Sequence, residues 1–245
     1  MRLDKLLANM GYGTRKEVKK VLKTGSVLVD GKAVKDGSVH IKPDEQEITI
    51  FGEEVHYKPF IYLMMNKPKG VISATEDREH ETVIDLLAYE HALFEPFPVG
   101  RLDKDTEGFV LLTNDGKLAH ELMSPKKHVP KTYVATVSGR VSEEDIVSFK
   151  QGVELDDGYV TKPGELVIHV PGEISKIALT ISEGKFHQVK RMFKSVGKKV
   201  LELKRISIGP LQLDENLGLG EYRELTEEEI ERLKHAQDEM GNATV

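Results

Sequence analysis

The chain contains no cysteine among its 245 residues. Disulfides, cysteine-based zinc sites and thiolate nucleophiles are therefore excluded, and with them the enzymes that attack a pyrimidine base through sulfur. Other common signatures are also missing: the sequence has no phosphate loop of the Walker type, no His-Glu-x-x-His motif and no zinc deaminase motif. We expect neither a metal nor an organic cofactor.

Long hydrophobic runs are absent as well. The longest apolar runs, at residues 61–65 and 109–112, are far too short to span a bilayer. Asp4 and Lys5 argue against a signal peptide at the N-terminus. We expect a monomeric cytoplasmic protein that does not associate with membranes.

The formal net charge is −6, but the charge is distributed unevenly along the chain. Residues 1–42 carry ten Lys or Arg against four Asp or Glu, and residues 181–210 carry eight against two. Residues 214–239 reverse the balance, with three basic and ten acidic side chains. Two basic segments on an acidic body suit the binding of a polyanion, although solvated surfaces would explain them equally well.

The first forty residues have the pattern of two short helices followed by a hairpin. Three leucines in the first seven residues form an apolar face, and a capping box at Thr14 and Glu17 predicts a second helix that ends near Gly25. Asp30-Gly31 between Val27-Leu28-Val29 and Lys32-Ala33-Val34 predicts a two-residue hairpin turn. The second helix should display five cations: Arg15, Lys16, Lys19, Lys20 and Lys23.

After an acidic stretch at residues 43–58, which suits a last strand and a linker, a second domain is expected near Pro59. Strand-like runs lie at 61–65, 109–113, 132–138, 165–170, 177–182 and 200–208, and helical patterns at 82–89, 117–123 and 187–196. Mixed strands with few helices predict an α+β fold, in which a small α/β module precedes a mixed, mainly antiparallel sheet.

The densest cluster of charged and turn-forming residues runs from Gly100 to Gly108, directly before an apolar strand. A loop that leads into a buried strand holds its side chains rigidly, which suits a reactive group. Asp103 and Asp105 both lie in this loop, and each could equally be a simple turn former. Composition does not distinguish between the two carboxylates.

The string from Gly100 to Gly116, GRLDKDTEGFVLLTNDG, resembles the signature of pseudouridine synthases that act on rRNA. Four further blocks resemble parts of that family in the same order: NKPKG at 66–70, KTY at 131–133, EGKFHQVKRM at 183–192 and LKRISIG at 203–209. The N-terminal module resembles the alpha-L RNA-binding domain. Within the family the likeness is strongest to the small-subunit enzymes, notably at residues 181–193 and 220–230.

The resemblance implies roles for individual residues. Asp103 would be the catalytic carboxylate, and Arg101 would help to hold the place of the flipped nucleotide in the RNA. Lys190 would pair with the carboxylate. Many relatives have Arg where this chain has Lys190, so Arg191 is an alternative partner.

The same resemblance places Tyr133 beneath the target uracil and Leu203 at the wall that closes the pocket. It implies an RNA-binding domain with linker at 1–58, a catalytic domain at 59–233 and a tail at 234–245. The residues expected to contact RNA are Arg2, Lys5, Arg15, Lys16, Lys19, Lys20, Asn66, Lys67, Lys131, Lys185, His187, Gln188 and Arg191.

Conversion of uridine into its C-linked isomer involves no redox change and imports no group, so the implied reaction requires no cofactor. A carboxylate can act as a nucleophile or as a base if it stays ionised, and a neighbouring cation favours that state. The expected partner is rRNA, specifically 16S rRNA in a ribosome assembly intermediate. The alternatives are a uridine in 23S rRNA and a non-catalytic role in ribosome assembly.

Overall fold

Residues 1–124 and 127–235 are described by a computed structural model, and their fold divides into two units. The first unit comprises Met1–Ile61 and Leu87–Pro96, and the second comprises Tyr62–Leu86 and the chain from Phe97 onward. The ten residues Leu87–Pro96 therefore belong to the first unit, although part of the second unit precedes them in the chain. A linear division of the sequence does not predict this arrangement.

The first unit contains the two predicted helices, the predicted hairpin and two further strands. A capping box between Thr14 and Glu17 starts the second helix, and Gly25 ends it with a left-handed φ of 82°. The antiparallel sheet has the strand order β2-β1-β3-β4. The elements are α1 (Leu3–Asn9), α2 (Arg15–Thr24), β1 (Val27–Val29), β2 (Lys32–Ala33), β3 (Ile48–Ile50), β4 (Glu53–Glu54) and α3 (Tyr89–Ala92).

The second unit is built on one nine-stranded sheet, and the predicted α+β fold with a mainly antiparallel sheet is confirmed. Its strands are β5 (Tyr62–Lys67), β6 (Phe97–Val99), β7 (Glu107–Thr113), β8 (Lys131–Ser138), β9 (Glu165–Val170), β10 (Ile174–Ile181), β11 (Lys199–Ile208), β12 (Leu211–Gln212) and β13 (Tyr222–Glu224). The order is β13-β5-β7-β11-β8-β10-β9, while β6 pairs with β7 and β12 with β11. The helices are α4 (Gly116–Met123), α5 (Glu143–Gln151), α6 (Gln188–Ser195) and α7 (Glu227–His235).

The sheet consists of two antiparallel halves that meet where β7 lies beside β11. This is the one parallel pairing between strands of the sheet in the part of the chain that the structure describes, and its register pairs Glu107 with Lys204 and Gly108 with Arg205. Gly108 has a φ of +105°, and a Cβ there would lie 2.2 Å from the carbonyl oxygen of Arg205. The close approach of the two strands therefore requires glycine at this position.

Helices cover the two halves of the sheet and leave the strand ends free for the site. Residues of α4 and α7 pack with Tyr62, Met64, Phe109 and Leu111 in one buried cluster. On the other half, Phe149 of α5 and Phe193 of α6 meet edge to face, with ring centroids 5.0 Å apart. Both rings are fully buried, which anchors α6 beside β11.

The prediction of a helix at residues 82–89 was wrong. Thr82 and Asp85 form the reciprocal hydrogen bonds of a helix start, but the amide of Val83 donates to the carbonyl of Ile72. Thr82 thereby joins a β-bridge with Ile72, and residues 83–86 continue as turns. Of the predicted tail at 234–245, the first two residues complete α7 and residues 236–245 lie outside the described chain. None of the described helices is long and apolar enough to cross a membrane.

Candidate active site

The loop between β6 and β7 carries Asp103 and is held by hydrogen bonds on its backbone. The hydroxyl of Ser73 accepts from the amide of Leu102 at 3.1 Å and donates to its carbonyl at 3.2 Å. The amide of Gly70 donates to the carbonyl of Lys104 at 2.8 Å. These bonds fix both neighbours of Asp103, so the loop presents its carboxylate from a rigid backbone.

Arg205 secures the same loop from the opposite half of the sheet. Its side chain is 1% exposed. Nε donates to the carbonyl of Phe109 at 2.8 Å, and Nη2 donates to the carbonyl of Gly100 at 3.0 Å. A buried guanidinium is costly unless its protons are bonded, so these contacts fix both ends of the loop relative to β11.

Asp103 pairs with Lys190 in the first turn of α6. Nζ of Lys190 lies 2.8 Å from Oδ2 of Asp103 and 2.6 Å from Oδ1 of Asp105. Burial acts to lower the pKa of Lys190, but the hydrogen bonds to the two carboxylates outweigh it and raise that pKa. The hydrogen bond from Lys190 also lowers the pKa of Asp105. The ammonium of Lys190 therefore binds both carboxylates, which composition alone does not distinguish.

Burial does distinguish them. The side chain of Asp103 is 26% exposed and that of Asp105 is 72% exposed. His187 approaches Asp103 as well, with Nε2 lying 3.6 Å from Oδ1. The lower exposure of Asp103 agrees with the resemblance, which implies that Asp103 and not Asp105 is the catalytic carboxylate.

Arg191, the alternative partner for Asp103, points elsewhere. Its Nη2 lies 2.6 Å from Oδ1 of Asp156 and 2.8 Å from Oδ2 of Asp157. These contacts raise the pKa of Arg191. Adjacent residues on a helix face different directions, so the structure places Lys190 at Asp103 and Arg191 on an acidic pair outside the site.

A narrow cavity of about 60 Å³ adjoins Asp103 and contains the residues predicted to form the pocket. Tyr133 on β8 and Leu203 on β11 line it and are nearly buried, at 7% and 6% exposed. Arg101 also lines it, but its side chain is exposed and forms no ion pair with the described residues. Thr106 contributes a buried hydroxyl that has no hydrogen-bond partner among those residues. Four of the five site residues predicted from sequence line this cavity. The fifth, Lys190, does not line it but contacts Asp103, which does.

Two lysines predicted to contact RNA are instead buried. Lys67 is fully buried, and its Nζ donates to the carbonyls of Pro68 and Val71. Lys131 is 5% exposed and donates to the carbonyl of Val129. Burial lowers the pKa of each to about 8. The prediction of direct RNA contact is corrected for both, because these ammonium groups bind backbone carbonyls inside the fold.

The prediction of direct RNA contact is corrected for Asn66 as well, and Gln188 is almost as deeply buried. Asn66 is 3% exposed and donates to the carbonyl of Leu217. Gln188 is 4% exposed; its Oε1 accepts from the amide of Lys185 and its Nε2 donates to Glu183. Both side chains hold loops in place. That of Gln188 also lines the cavity beside Asp103, so its contact with RNA stays a prediction.

The other predicted RNA contacts lie on the surface. Arg15, Lys16, Lys19 and Lys20 are exposed along α2, and Lys185 and His187 border the cleft at Asp103. Two cations of the first unit have acidic partners: Arg2 donates two hydrogen bonds to Asp4, and Lys5 donates to Glu95. The row on α2 is thus the most accessible cationic surface of that unit.

Sequence reasoning missed the side chains that hold the site. Ser73 has no signal in a single sequence. Arg205 does have one, because Leu203, Arg205 and Ser207 alternate with more exposed residues along β11 and therefore share its buried face.

Comparisons with known proteins agree with this geometry. The RNA pseudouridylate synthase family matches residues 61–195, and the S4 domain matches residues 1–46. An uncharacterised RNA pseudouridine synthase of Bacillus subtilis is 59% identical over 97% of this chain and 100% of its own. Ribosomal small subunit pseudouridine synthase A is 41% identical in Yersinia pestis and 40% in Escherichia coli, covering 94% of this chain and 97% and 98% of theirs.

A solved crystal structure of a pseudouridylate synthase matches with a TM-score of 0.67 and 40% identity, covering 95% of this chain and 99% of that one. The family match, the S4 match and this structural match confirm the resemblance found in the sequence motifs. The chain therefore belongs to the RNA pseudouridylate synthase family, as an RNA pseudouridine synthase with an N-terminal S4 domain.

Proposed function

We propose that this protein isomerises a uridine of 16S rRNA to pseudouridine, that Asp103 is the catalytic carboxylate, and that the target nucleotide is flipped out of its helix. The observation that carries the proposal is the Asp103–Lys190 pair, 2.8 Å apart, at the edge of a cavity lined by Tyr133. The relatives named ribosomal small subunit pseudouridine synthase A support the choice of 16S rRNA. We also propose that the enzyme acts as a monomer in the cytoplasm on an assembly intermediate.

The reaction breaks the C1′–N1 bond and forms a C1′–C5 bond, while C5 loses a proton and N1 gains one. A carboxylate can promote this as a nucleophile at the base, as a nucleophile at C1′ or as a base at the sugar. All three routes need the ionised form of Asp103. Lys190 places a positive charge 2.8 Å from Oδ2 of Asp103, whose side chain is 26% exposed.

The position of Asp103 is the reason for proposing base flipping. Its carboxylate lies beside a narrow cavity, whereas the reacting atoms of a uridine in a helix are covered by stacked neighbours. A nucleotide must leave the stack to reach this carboxylate. Tyr133 offers an aromatic ring at the cavity for the uracil to contact, and aromatic rings commonly stack on bases that have left a helix.

The test is to map pseudouridines in rRNA from a strain that lacks the gene. We expect one position in 16S rRNA to lose its modification. Wild type and Asp105→Asn should restore it, whereas Asp103→Asn should not, because an amide keeps the shape of the carboxylate but can act neither as a nucleophile nor as a base. Circular dichroism and an RNA-binding isotherm on each variant would show that fold and affinity are kept.

Three results would contradict parts of the proposal. A lost position in 23S rRNA would move the substrate to the large subunit. An unchanged rRNA would argue against rRNA as the substrate. Restoration by Asp103→Asn together with failure of Asp105→Asn would show that the other carboxylate of the loop is catalytic.

A further inference from the structure

Phe186 is the most exposed of the large hydrophobic side chains that the structure describes, at 75%. It lies in the segment between β10 and α6, next to His187, and the two rings stack with centroids 3.7 Å apart and planes 20° apart. An exposed ring in contact with water normally gains nothing from its position. Exposure of one such side chain is ordinary, but this one lines the cleft that contains Asp103, and that position points to a ligand.

The segment that carries Phe186 is held firmly on both sides. Glu183 is 8% exposed and accepts hydrogen bonds from the hydroxyl of Tyr159 at 2.7 Å, from the amide of Lys162 at 3.0 Å and from Gln188 at 2.5 Å. Gln188 also accepts from the amide of Lys185 at 2.8 Å. A ring presented by such a closed loop loses little conformational entropy when a ligand covers it.

His187 packs against the ring of Phe186 from an unfavourable backbone conformation. It has a φ of +49°, in the left-handed region that most residues avoid. That conformation places its ring against Phe186 and its Nε2 3.6 Å from Oδ1 of Asp103. The stacked pair is therefore directly connected to the catalytic carboxylate, and both of its rings line the cleft of about 930 Å³ that contains Asp103.

The occupant of this surface has to be planar and must lie next to the nucleotide at Asp103. The base of a neighbouring nucleotide meets both conditions, because every base has a face that stacks on an aromatic ring. Exposed Arg101 and Lys104 border the same cleft, where they could contact the phosphates of that nucleotide. A protein partner would not need a ring at this distance from the reacting atoms.

We propose that Phe186, supported by His187, stacks on the base of the nucleotide adjacent to the target uridine and so fixes the RNA while the uridine occupies the pocket. Phe186 is a positioning residue, since it touches the substrate strand without touching the reacting atoms. The inference rests on the proposed function, because it takes the nucleotide at Asp103 to be a flipped uridine. It adds the contact that holds the RNA next to that nucleotide.

The first test measures binding and turnover separately, using a 16S rRNA transcript under single-turnover conditions. Phe186→Ala should raise the half-saturating RNA concentration at least about fivefold, the lower end of what one base–aromatic stack contributes, and leave the maximal rate within about twofold. Phe186→Tyr should behave like wild type because it keeps the ring. Val147→Ala on α5, which also truncates an exposed hydrophobic side chain (54% exposed), is the matched control and should change neither value.

The second test identifies the base. Synthetic RNA fragments spanning the modified uridine would carry one abasic nucleotide at each neighbouring position in turn. At one position wild type should lose affinity while Phe186→Ala loses no more, because the missing base and the missing ring remove the same contact.

Equal affinity of Phe186→Ala and Val147→Ala for the transcript would overturn the inference, whether or not the RNA is modified. Additive losses at every abasic position would overturn it as well. Absence of pseudouridine formation by wild type on both the transcript and a small-subunit assembly intermediate would instead contradict the proposed function, and the binding measurements would still decide whether Phe186 contacts RNA.

Discussion

Replacement of Lys190 by Met removes the charge beside Asp103 while keeping a side chain of similar length. Nζ lies 2.8 Å from Asp103, and about a quarter of each side chain is exposed. Two unit charges at that separation attract by about 1.5 kcal/mol in bulk water and about 6 kcal/mol at an effective dielectric constant of 20. With partial screening by solvent, we expect a loss of about 2–3 kcal/mol.

If that loss falls on the ionised carboxylate in the transition state, the single-turnover rate should fall about 30- to 160-fold. The assay is pseudouridine formation at saturating 16S rRNA, with a binding isotherm to show that the RNA is still bound. Lys190→Arg should recover most of the rate, because a guanidinium restores the charge.

Lys194→Met is the matched control. Lys194 lies one helical turn further along α6, is 72% exposed and pairs with Asp156 instead of Asp103, so its loss should change the rate less than about threefold. A wild-type rate from Lys190→Met would refute the reasoning. An equal fall in both variants would show that the effect comes from the charge of the helix and not from the pair.

Other predictions follow from the packing and charges of the fold. Gly108→Ala should lower the melting temperature by about 6–12 °C, because the new Cβ would clash with the carbonyl of Arg205 and destabilise the fold by about 3 kcal/mol. Gly116→Ala is the control: nothing lies within 4 Å of a Cβ there, so the melting temperature should not fall. Lys131 has a pKa of about 8 in the folded protein and about 10.4 when unfolded, so the unfolded state binds more protons between these values. The unfolding free energy of wild type should therefore rise by about 2.5 kcal/mol relative to Lys131→Met as pH increases from 8 to 10.4, and denaturant titrations with a constant difference would contradict this. Replacement of Lys16, Lys19 and Lys20 together by Gln should flatten the slope of log affinity against log salt by about 2; an unchanged slope would show that α2 does not contact phosphate.

The elements that were predictable from sequence are those with local signals. The capping box at Thr14, the Asp30-Gly31 turn and the apolar periodicity of α6 depend on residues close together in the chain, and all three appear in the structure. Residues 82–89 show where local signals fail. Thr82 and Asp85 make the bonds of a helix start, but pairing with Ile72, ten residues earlier, determines the backbone there.

The members of the site could be identified from motifs, but their contacts could not. The motif around Asp103 and the block around Lys190 lie 87 residues apart in the chain, and only the fold shows that their side chains meet. The burial of individual side chains was predicted least well from the sequence. Lys67 and Lys131 were predicted to contact RNA from the resemblance of their motifs, whereas backbone carbonyls in the interior bind both.

The junction of β7 and β11 also has a mechanical consequence. Asp103 belongs to the half of the sheet that contains β7, whereas Tyr133, Lys190 and Leu203 belong to the other half. Two register pairs, the side chain of Arg205 and the Asp103–Lys190 pair connect the two halves there. We expect a small tilt about this junction to widen the cavity of about 60 Å³ beside Asp103 for a nucleotide, while the antiparallel ladders keep their hydrogen bonds. Hydrogen exchange at the amides of Glu107 and Gly108 that is faster than exchange within those ladders would report the opening, and equal protection would contradict it.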